Sequence, residues 1–230
     1  MNKLELLRRV PTFARLTDDQ LALLARSVGS QTFERDETIF HQGSIGSVLY
    51  IIVSGQVRIY TLNEAGQELT VRILKAGDFF GELALLDGQP RSASVETMGR
   101  TLTLTLHRAT FLRIINACPP IAAALLEAMA ARLRSATVYA RQLANHSAAQ
   151  RVVEQLLDLA ARYGTDDGGA IRIDLRLTQD DLASLSGTTR ETVNRILASL
   201  RDQGLIRVER ARVSVLKLDL LELSSGEVRD

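Results

Sequence analysis

Residues 178–201 read TQDDLASLSGTTRETVNRILASLR, and the pattern predicts two short helices joined by a tight turn. Thr178 stands three residues before Asp181, and Thr188 stands three residues before Glu191. This is the spacing of capping boxes, in which a hydroxyl and a carboxylate satisfy free N–H groups at the start of a helix. We therefore predict a helix-turn-helix with its glycine in the turn.

The second of these helices has one apolar and one polar face. Spacings of three and four residues place four apolar side chains on one arc: Val193, Ile196, Leu197 and Leu200. Four polar side chains fall on the opposite arc: Arg190, Glu191, Asn194 and Arg195. In the major groove of DNA, Arg can donate to guanine and Glu can accept from cytosine. The alternative is an ordinary solvated face, on which Glu191 and Arg195 form an i,i+4 pair.

The flanking residues favour DNA binding. Upstream we expect a helix, a glycine-rich turn over 163–169 and a strand over 171–175. Downstream, strands over 205–208 and 213–218 would form a hairpin, as in a winged helix-turn-helix. The hairpin carries three arginines: Arg207, Arg210 and Arg212.

The charge balance limits how DNA could be attracted. The chain of 230 residues has 28 Lys and Arg against 27 Asp and Glu, a net charge of +1. Residues 178–217 carry seven basic and five acidic side chains. The placement of a few arginines, rather than bulk charge, must therefore supply the attraction to phosphates.

A long helix is predicted over 121–145, where Gly and Pro are absent. Its apolar and small residues alternate three and four apart: Leu126, Met129, Leu133, Ala136, Ala140 and Leu143. This is the a/d spacing of a coiled coil, and it favours a homodimer. The alternative is a helix that lies on its own barrel.

The N-terminal half has a different texture. Residues 1–35 predict short helices, and from about residue 36 to residue 107 glycines separate β-branched runs at hairpin-like intervals. These glycines include Gly43, Gly46, Gly55, Gly66, Gly77, Gly81 and Gly88. Short strands with turns about every ten residues indicate an antiparallel roll or barrel.

One segment of this roll could bind an anion. Residues 79–95 read FFGELALLDGQPRSASV, and residues 81–84 could begin a short helix whose free N–H groups suit a phosphate. Arg91 would need a partner charge inside an apolar roll. Two hypotheses remain open: a buried Glu82–Arg91 ion pair, or Arg91 on a phosphate with Glu82 accepting from a hydroxyl.

Other features narrow the class of protein. The single cysteine, Cys118, rules out an intramolecular disulfide and a cluster held by several thiolates of this chain. No run of 18 apolar residues predicts a membrane span, and the first residues show no secretory signal, so we expect a cytoplasmic protein. The three histidines have no metal-ligand spacing, so we expect no metal.

The segments GELALLDGQPRSASV, QDDLASLSGTTRETVNRIL, LYIIVSGQV and GDFFGE resemble the family of the cAMP receptor protein and the fumarate–nitrate reductase regulator (CRP/FNR), from about residue 6 to residue 217. The resemblance implies an α+β chain in three parts: a cyclic-nucleotide-binding β-roll over 1–118, a dimerisation helix over 119–145 and a winged helix-turn-helix over 146–230.

The resemblance also implies site residues. Arg91 and Ser92 would hold the cyclic phosphate and Glu82 the ribose 2′-hydroxyl. The other pocket residues would be Val71, Gly81, Leu83 and Ala84, with Arg132, Ala136 and Thr137 from the long helix. The base-reading residues would be Arg190, Glu191 and Arg195, and the phosphate-contacting residues Thr178 and Thr189.

The implied function is a cytoplasmic, homodimeric transcription regulator, not an enzyme. It would respond to cAMP, bind a palindromic double-stranded DNA operator with TGTGA-like half-sites, and have RNA polymerase as a partner. Ala136 lacks the hydroxyl that relatives often have, which leaves open an effector-independent regulator with an occluded pocket. A redox or haem sensor and a cupin-like metalloenzyme are further alternatives, and both lack a convincing ligand set in this sequence.

Overall fold

Two four-stranded antiparallel sheets form a β-roll in the computed structural model, which describes residues 2–64, 66–209 and 211–221. The strands are β1 (Gly29–Phe33), β2 (Thr38–Phe40), β3 (Val48–Ser54), β4 (Gln56–Leu62), β5 (Glu68–Lys75), β6 (Phe79–Phe80), β7 (Ser94–Thr97) and β8 (Thr101–His107). The sheet orders are β1-β8-β3-β6 and β2-β7-β4-β5. Apolar side chains from both sheets pack together: Ile52, Val57, Leu74, Phe80 and Val95.

Glycine turns and strands with buried apolar side chains explain the roll. In β3, Leu49 and Ile51 are buried in one apolar cluster, and Ile52, whose side chain points to the opposite face, is buried in another, so both faces of this strand are covered. Gly66 has a φ of +76° in the turn that joins β4 to β5, a conformation that costs glycine little. The predicted antiparallel roll is therefore confirmed.

Helices precede, interrupt and follow the strands of this roll along the chain. They are α1 (Lys3–Arg8), a 3₁₀ turn (Pro11–Phe13), α2 (Asp18–Ser27), α3 (Glu82–Asp87), α4 (Arg108–Ala117) and α5 (Pro119–Asn145). The prediction of helices over residues 1–35 is wrong for the last residues of this range, which form strand β1 (Gly29–Phe33) and pair with β8. Only Phe33 of β1 is buried, so the strand depends on a distant partner that its local pattern does not reveal.

The long helix α5 confirms the predicted helix and begins two residues earlier. Leu126 is 66% exposed and Leu133 is 71% exposed, so much of the a/d surface lies open. No single helix among the described residues is long and apolar enough to cross a membrane. Helices α4 and α5 reach the length and apolar composition of a membrane span only when they are taken together, and the chain bends by 110° between them.

The chain divides into two compact units, Met1–Ser135 and Ala136–Asp230. The division falls within α5, whereas the expected boundaries at 118 and 145 coincide with the two ends of that helix.

The second unit continues from α5 into a helix-turn-helix and a small sheet. Its elements are α6 (Ala148–Tyr163), β9 (Gly164–Asp167), β10 (Ala170–Ile173), α7 (Gln179–Ser186), α8 (Arg190–Asp202), β11 (Ile206–Glu209) and β12 (Arg212–Val215). The sheet order is β11-β12-β10-β9, which confirms the winged helix-turn-helix. The turn predicted over 163–169 is instead largely strand β9, paired with β10. Arg210 of the predicted hairpin and residues 222–230 lie outside the described residues.

Candidate functional site

Arg91 lies inside the roll, only 5% exposed. Its Nη1 donates to the carbonyl of Gly81 at 2.6 Å, and its Nη2 donates to the carbonyl of Val48 at 2.7 Å. The guanidinium carbon stands 4.0 Å from the centre of the Phe40 ring. The remaining nitrogen, Nε, is buried and has no hydrogen-bond partner. Arg91 therefore keeps an unused donor in a desolvated place.

This guanidinium forms no carboxylate ion pair among the described residues. Glu82 is paired instead with Arg132, so the hypothesis of a Glu82–Arg91 ion pair is wrong. Burial lowers the pKa of Arg91, and the nearby Tyr50 and Glu82 side chains raise it by a smaller amount. A buried cation with a spare donor and no paired carboxylate is suited to an anionic ligand.

Two glycines make the space that Arg91 occupies. A Cβ at position 46 would lie 2.6 Å from Arg91 Nε and 2.7 Å from the Ala84 Cβ. A Cβ at Gly81, whose φ is +82°, would lie 2.5 Å from Arg91 Nη1. Gly46 and Gly81 are therefore part of the site for steric reasons. The sequence predicts only a turn at Gly46 and gives no sign of this role, because no local pattern links residue 46 to residue 91.

Glu82 forms an ion pair with Arg132 of the long helix α5. Its side chain is buried, and its Oε1 accepts from Arg132 Nη1 at 2.7 Å. Arg132 Nη2 also donates to the Phe79 carbonyl, and its guanidinium carbon stands 4.2 Å from the centre of the Phe79 ring. The pocket residues of α3 are thus tied to α5 within the first unit.

The other expected pocket residues differ in exposure. Ala84 is buried in α3, whereas Leu83 and Ser92 are exposed. Val71 is 58% exposed and stands at a β-bulge, because Ile59 pairs with Arg72 and Tyr60 pairs with Thr70. A bulge redirects the side chain of its extra residue.

Two expected residues lie further along α5. Ala136 and Thr137 are exposed and belong to the second unit. Their assignment to the nucleotide base stays a prediction.

The first helix of the helix-turn-helix has the predicted N-terminal cap, whereas the second helix has a different cap from the one predicted. The Thr178 hydroxyl accepts from the Asp181 amide, and the Asp181 carboxylate accepts from the Thr178 amide, so the first capping box is confirmed. The cap of α8 is Thr189, whose hydroxyl accepts from the Thr192 amide at 3.3 Å. The predicted capping box of Thr188 is therefore wrong. The Thr188 amide still donates to the carbonyl of residue 183 and closes α7, so α8 begins one residue later.

The polar face of α8 is open to solvent, with Arg190, Glu191 and Arg195 all exposed. Hydrogen bonds from the Glu191 amide and the Thr189 hydroxyl lower the pKa of the Glu191 carboxyl, as does the charge of Arg190. Glu191 and Arg195, both within the described part of the chain, form no ion pair with each other, so the expected i,i+4 pair is absent and DNA reading by this face stays a prediction. Glu191 is an ionised acceptor at neutral pH.

A cleft of about 440 Å³ separates this face from the wing. Thr178 and Arg190 line it together with Val208 of β11. Elsewhere on the wing, Arg207 is paired with Glu209. Of the residues expected to contact phosphates and bases, Thr178 and Arg190 thus line this cleft of the second unit, whereas Thr189, Glu191 and Arg195 are not part of its lining. In contrast, no group of three or more His, Cys, Asp or Glu side chains that could hold a metal ion occurs in the described residues.

Comparison with known proteins identifies both units. Residues 30–118 match the cyclic nucleotide-binding domain, and residues 150–223 match the Crp-like helix-turn-helix domain. The chain is 37% identical over 205 residues to the CRP-like cAMP-activated global transcriptional regulator of Mycobacterium tuberculosis, covering 89% of this chain and 92% of the relative. It is 35% identical over 212 residues to the cyclic AMP receptor protein of Thermus thermophilus, covering 92% and 95%.

A solved structure gives the same result. The crystal structure of Thermus thermophilus catabolite activator protein matches with a TM-score of 0.55 and 33% identity, covering 95% of this chain and all of the other. The chain therefore belongs to the CRP/FNR family, whose members are DNA-binding transcriptional regulators rather than enzymes.

Proposed function

We propose that this chain forms a homodimeric regulator whose affinity for DNA is controlled by a cyclic nucleotide, cAMP. The observation that carries the proposal is Arg91, a buried guanidinium with an unpartnered Nε and no paired carboxylate among the described residues. The cyclic phosphate carries one negative charge and accepts hydrogen bonds, so it would supply the missing partner.

The remaining contacts follow from this placement. Ser92 would assist Arg91 at the phosphate, and the α3 start at Gly81 would line that end with Leu83 and Ala84. Glu82 would accept from the ribose 2′-hydroxyl, and Arg132 would hold Glu82 from α5. For the wall and the base, we assign Val71, Ala136 and Thr137.

The choice of cAMP rests on two observations. The two relatives described above are named as a cAMP-activated regulator and a cyclic AMP receptor protein. Thr137 provides a hydroxyl at a position expected to face the base, although Ala136 provides none. We therefore expect binding of cAMP with a weaker base contact than two hydroxyls would give.

The exposed seam of α5 supports the homodimer. Leu126 and Leu133 are seven residues apart, two full turns, and both are largely exposed. The a/d spacing continues along the helix to Leu143. A second copy of the same helix would cover these leucines, whereas a single copy leaves them in water.

Two copies imply a palindromic operator. A twofold dimer places its recognition helices in successive major grooves, about one helical turn apart. Arg190 and Arg195 would donate to guanines, and Glu191 would accept from a cytosine, in TGTGA-like half-sites. Thr178 and Thr189 would contact phosphates. We also propose a cytoplasmic location and RNA polymerase as a partner.

A second candidate is a regulator that needs no effector. It is favoured by the internal partners of the pocket residues: Arg132 already engages Glu82, and two nitrogens of Arg91 already donate to carbonyls. In this candidate the side chains fill the pocket, and DNA binding does not depend on a nucleotide.

Calorimetric titration with cAMP and with cGMP separates the two. We expect saturable binding of cAMP to the wild type and its loss in Arg91→Leu, because removal of a desolvated, charge-assisted contact costs about 2–5 kcal/mol. Arg100→Leu is the matched control, since Arg100 lies on the same roll but is exposed. Wild type that binds neither nucleotide would support the effector-independent regulator, and an unchanged affinity in Arg91→Leu would remove the pocket assignment.

A further inference from the structure

Asn194 lies in the middle of the polar face of α8. At about 100° per residue, it is displaced about 40° around the helix from Arg190 and about 60° from Glu191, between the two. It is exposed, as they are. A helix that presents Arg190 and Glu191 to a groove therefore presents Asn194 to the same groove.

The side chain of Asn194 is held in place by α7. Gln179, the first residue of α7, donates from Nε2 to Asn194 Oδ1 at 2.5 Å. The Oε1 of Gln179 accepts from Arg190 Nε at 3.4 Å. Arg190 also pairs loosely with Asp180, at 3.5 Å. One glutamine thus fixes the amide of Asn194 beside the guanidinium of a residue assigned to base reading.

The amide keeps enough hydrogen-bonding capacity to read a base. Gln179 uses one of the two acceptor positions on the Asn194 oxygen, and nothing among the described residues uses the two donors of Nδ2. An asparagine amide can accept from adenine N6 and donate to adenine N7 in the major groove. An amide fixed before binding loses less conformational entropy when it makes this pair.

We propose that Asn194 is a further specificity-determining residue that reads an adenine, and that Gln179 is its positioning residue. This inference rests on the proposed DNA-reading role of α8 and adds to it a base that Arg190, Glu191 and Arg195 do not read. The adenine would be next to a base pair that depends on Arg190 or Glu191.

The test is a selection of binding sites from randomised DNA, with saturating cAMP, using wild type, Asn194→Ala and Glu191→Ala. In Asn194→Ala we expect the preference for one A·T pair to fall about tenfold, with the Glu191-dependent position unchanged. The matched control is Ser199→Ala, which removes an exposed side chain of α8 that also accepts one hydrogen bond, from Gln203 at 3.0 Å. The control should leave the consensus unchanged.

The role of Gln179 is tested by a double-mutant cycle. Gln179→Leu should lower the same adenine preference by a smaller factor, and Gln179→Leu with Asn194→Ala should be no worse than Asn194→Ala alone. A purely structural link between α7 and α8 would weaken binding to every sequence alike, and that result would overturn the proposal.

Other outcomes separate this inference from the proposed function. If Glu191→Ala changes the consensus and Asn194→Ala does not, the Asn194 assignment is wrong and the DNA-reading helix stands. If neither variant changes it, or if wild type selects no consensus, both are wrong.

Discussion

Glu82 of the roll and Arg132 of the long helix form an ion pair of 2.7 Å. The carboxylate is buried, and the guanidinium also donates to the Phe79 carbonyl. The residue proposed to bind the ribose is therefore held by the same helix that carries the proposed dimer seam. A ligand that changes the hydrogen bonds of Glu82 has a direct contact through which to act on α5.

The ion pair itself makes a stability prediction. Arg132→Leu should lower the free energy of unfolding by about 3–5 kcal/mol, because it leaves the Glu82 carboxylate buried without a partner. Adding Glu82→Gln should recover part of this loss, since the neutral amide is easier to bury. Urea denaturation of the two single variants and the double variant measures the coupling. Additive losses would show that the pair contributes nothing.

The dimer seam predicts an effect on assembly. Leu126→Glu should raise the dimer dissociation constant by at least about 100-fold, because the twofold interface would bury two unpaired carboxylates. The matched control is Ala131→Glu, an exposed position about 140° around the helix from Leu126. Sedimentation velocity reports the oligomeric state. Equal dissociation constants for the two variants would show that this face of α5 is not the interface.

Replacement of Gly187 by a larger residue should destabilise the protein more than replacement of a glycine with open space around it. The φ of Gly187 is +60°, and an added Cβ would lie 2.6 Å from Leu143 Cδ2 and 3.1 Å from the Tyr139 hydroxyl. Gly187→Ala should therefore lower the free energy of unfolding by about 2–4 kcal/mol, from backbone strain together with steric overlap.

Gly168→Ala is the control for Gly187. Its φ is similar, +66°, and nothing lies within 4 Å of an added Cβ. It should cost about 1–2 kcal/mol from backbone strain alone. Thermal denaturation measures both losses, and equal losses would mean that the contacts with Leu143 and Tyr139 relax without cost.

The surroundings of Glu191 predict that its carboxyl titrates at a lowered pH. Its pKa is lowered by its own backbone amide, by the Thr189 hydroxyl and by Arg190. Any stability linked to its carboxylate is therefore present above the unfolded-state pKa and is lost as the pH falls through the lowered one. Nuclear magnetic resonance of the carboxyl carbon should give a midpoint below the ordinary glutamate value.

Two Thr189 variants sharpen that titration. Thr189→Ala should raise the pKa of Glu191 towards its ordinary value, whereas Thr189→Ser, which keeps the hydroxyl, should not. An identical midpoint in all three proteins would contradict the hydrogen bond.

The spacing of apolar, capping and turn residues predicts most of the helices and strands, because these elements form through interactions between residues that are near one another in the sequence. The apolar spacing of α8 follows from one buried face, and the apolar run of β3 follows from burial on both faces. The same patterns fail where a distant partner decides, as in β1 and β9. They also fail at the α8 cap, because Thr188 and Thr189 are both good caps and the closing bond of α7 selects the second.

The pocket was predictable in part. The glycines and Arg91 are visible in the sequence, and the family resemblance gives them roles. The sequence suggested only Arg91 as a partner of Glu82, because Arg132 stands 50 residues away along the chain and no local pattern links the two. The three-dimensional arrangement pairs Arg132 with Glu82 and leaves Arg91 Nε without a partner.

The most direct test of nucleotide control is the affinity for a palindromic operator, measured by fluorescence anisotropy at fixed salt, with and without saturating cAMP. Coupling between binding sites is typically 5–150-fold, and it is reciprocal. We expect cAMP to tighten operator binding by a factor in this range, and operator DNA to tighten cAMP binding by the same factor. The same operator affinity with and without cAMP would contradict a nucleotide-controlled regulator.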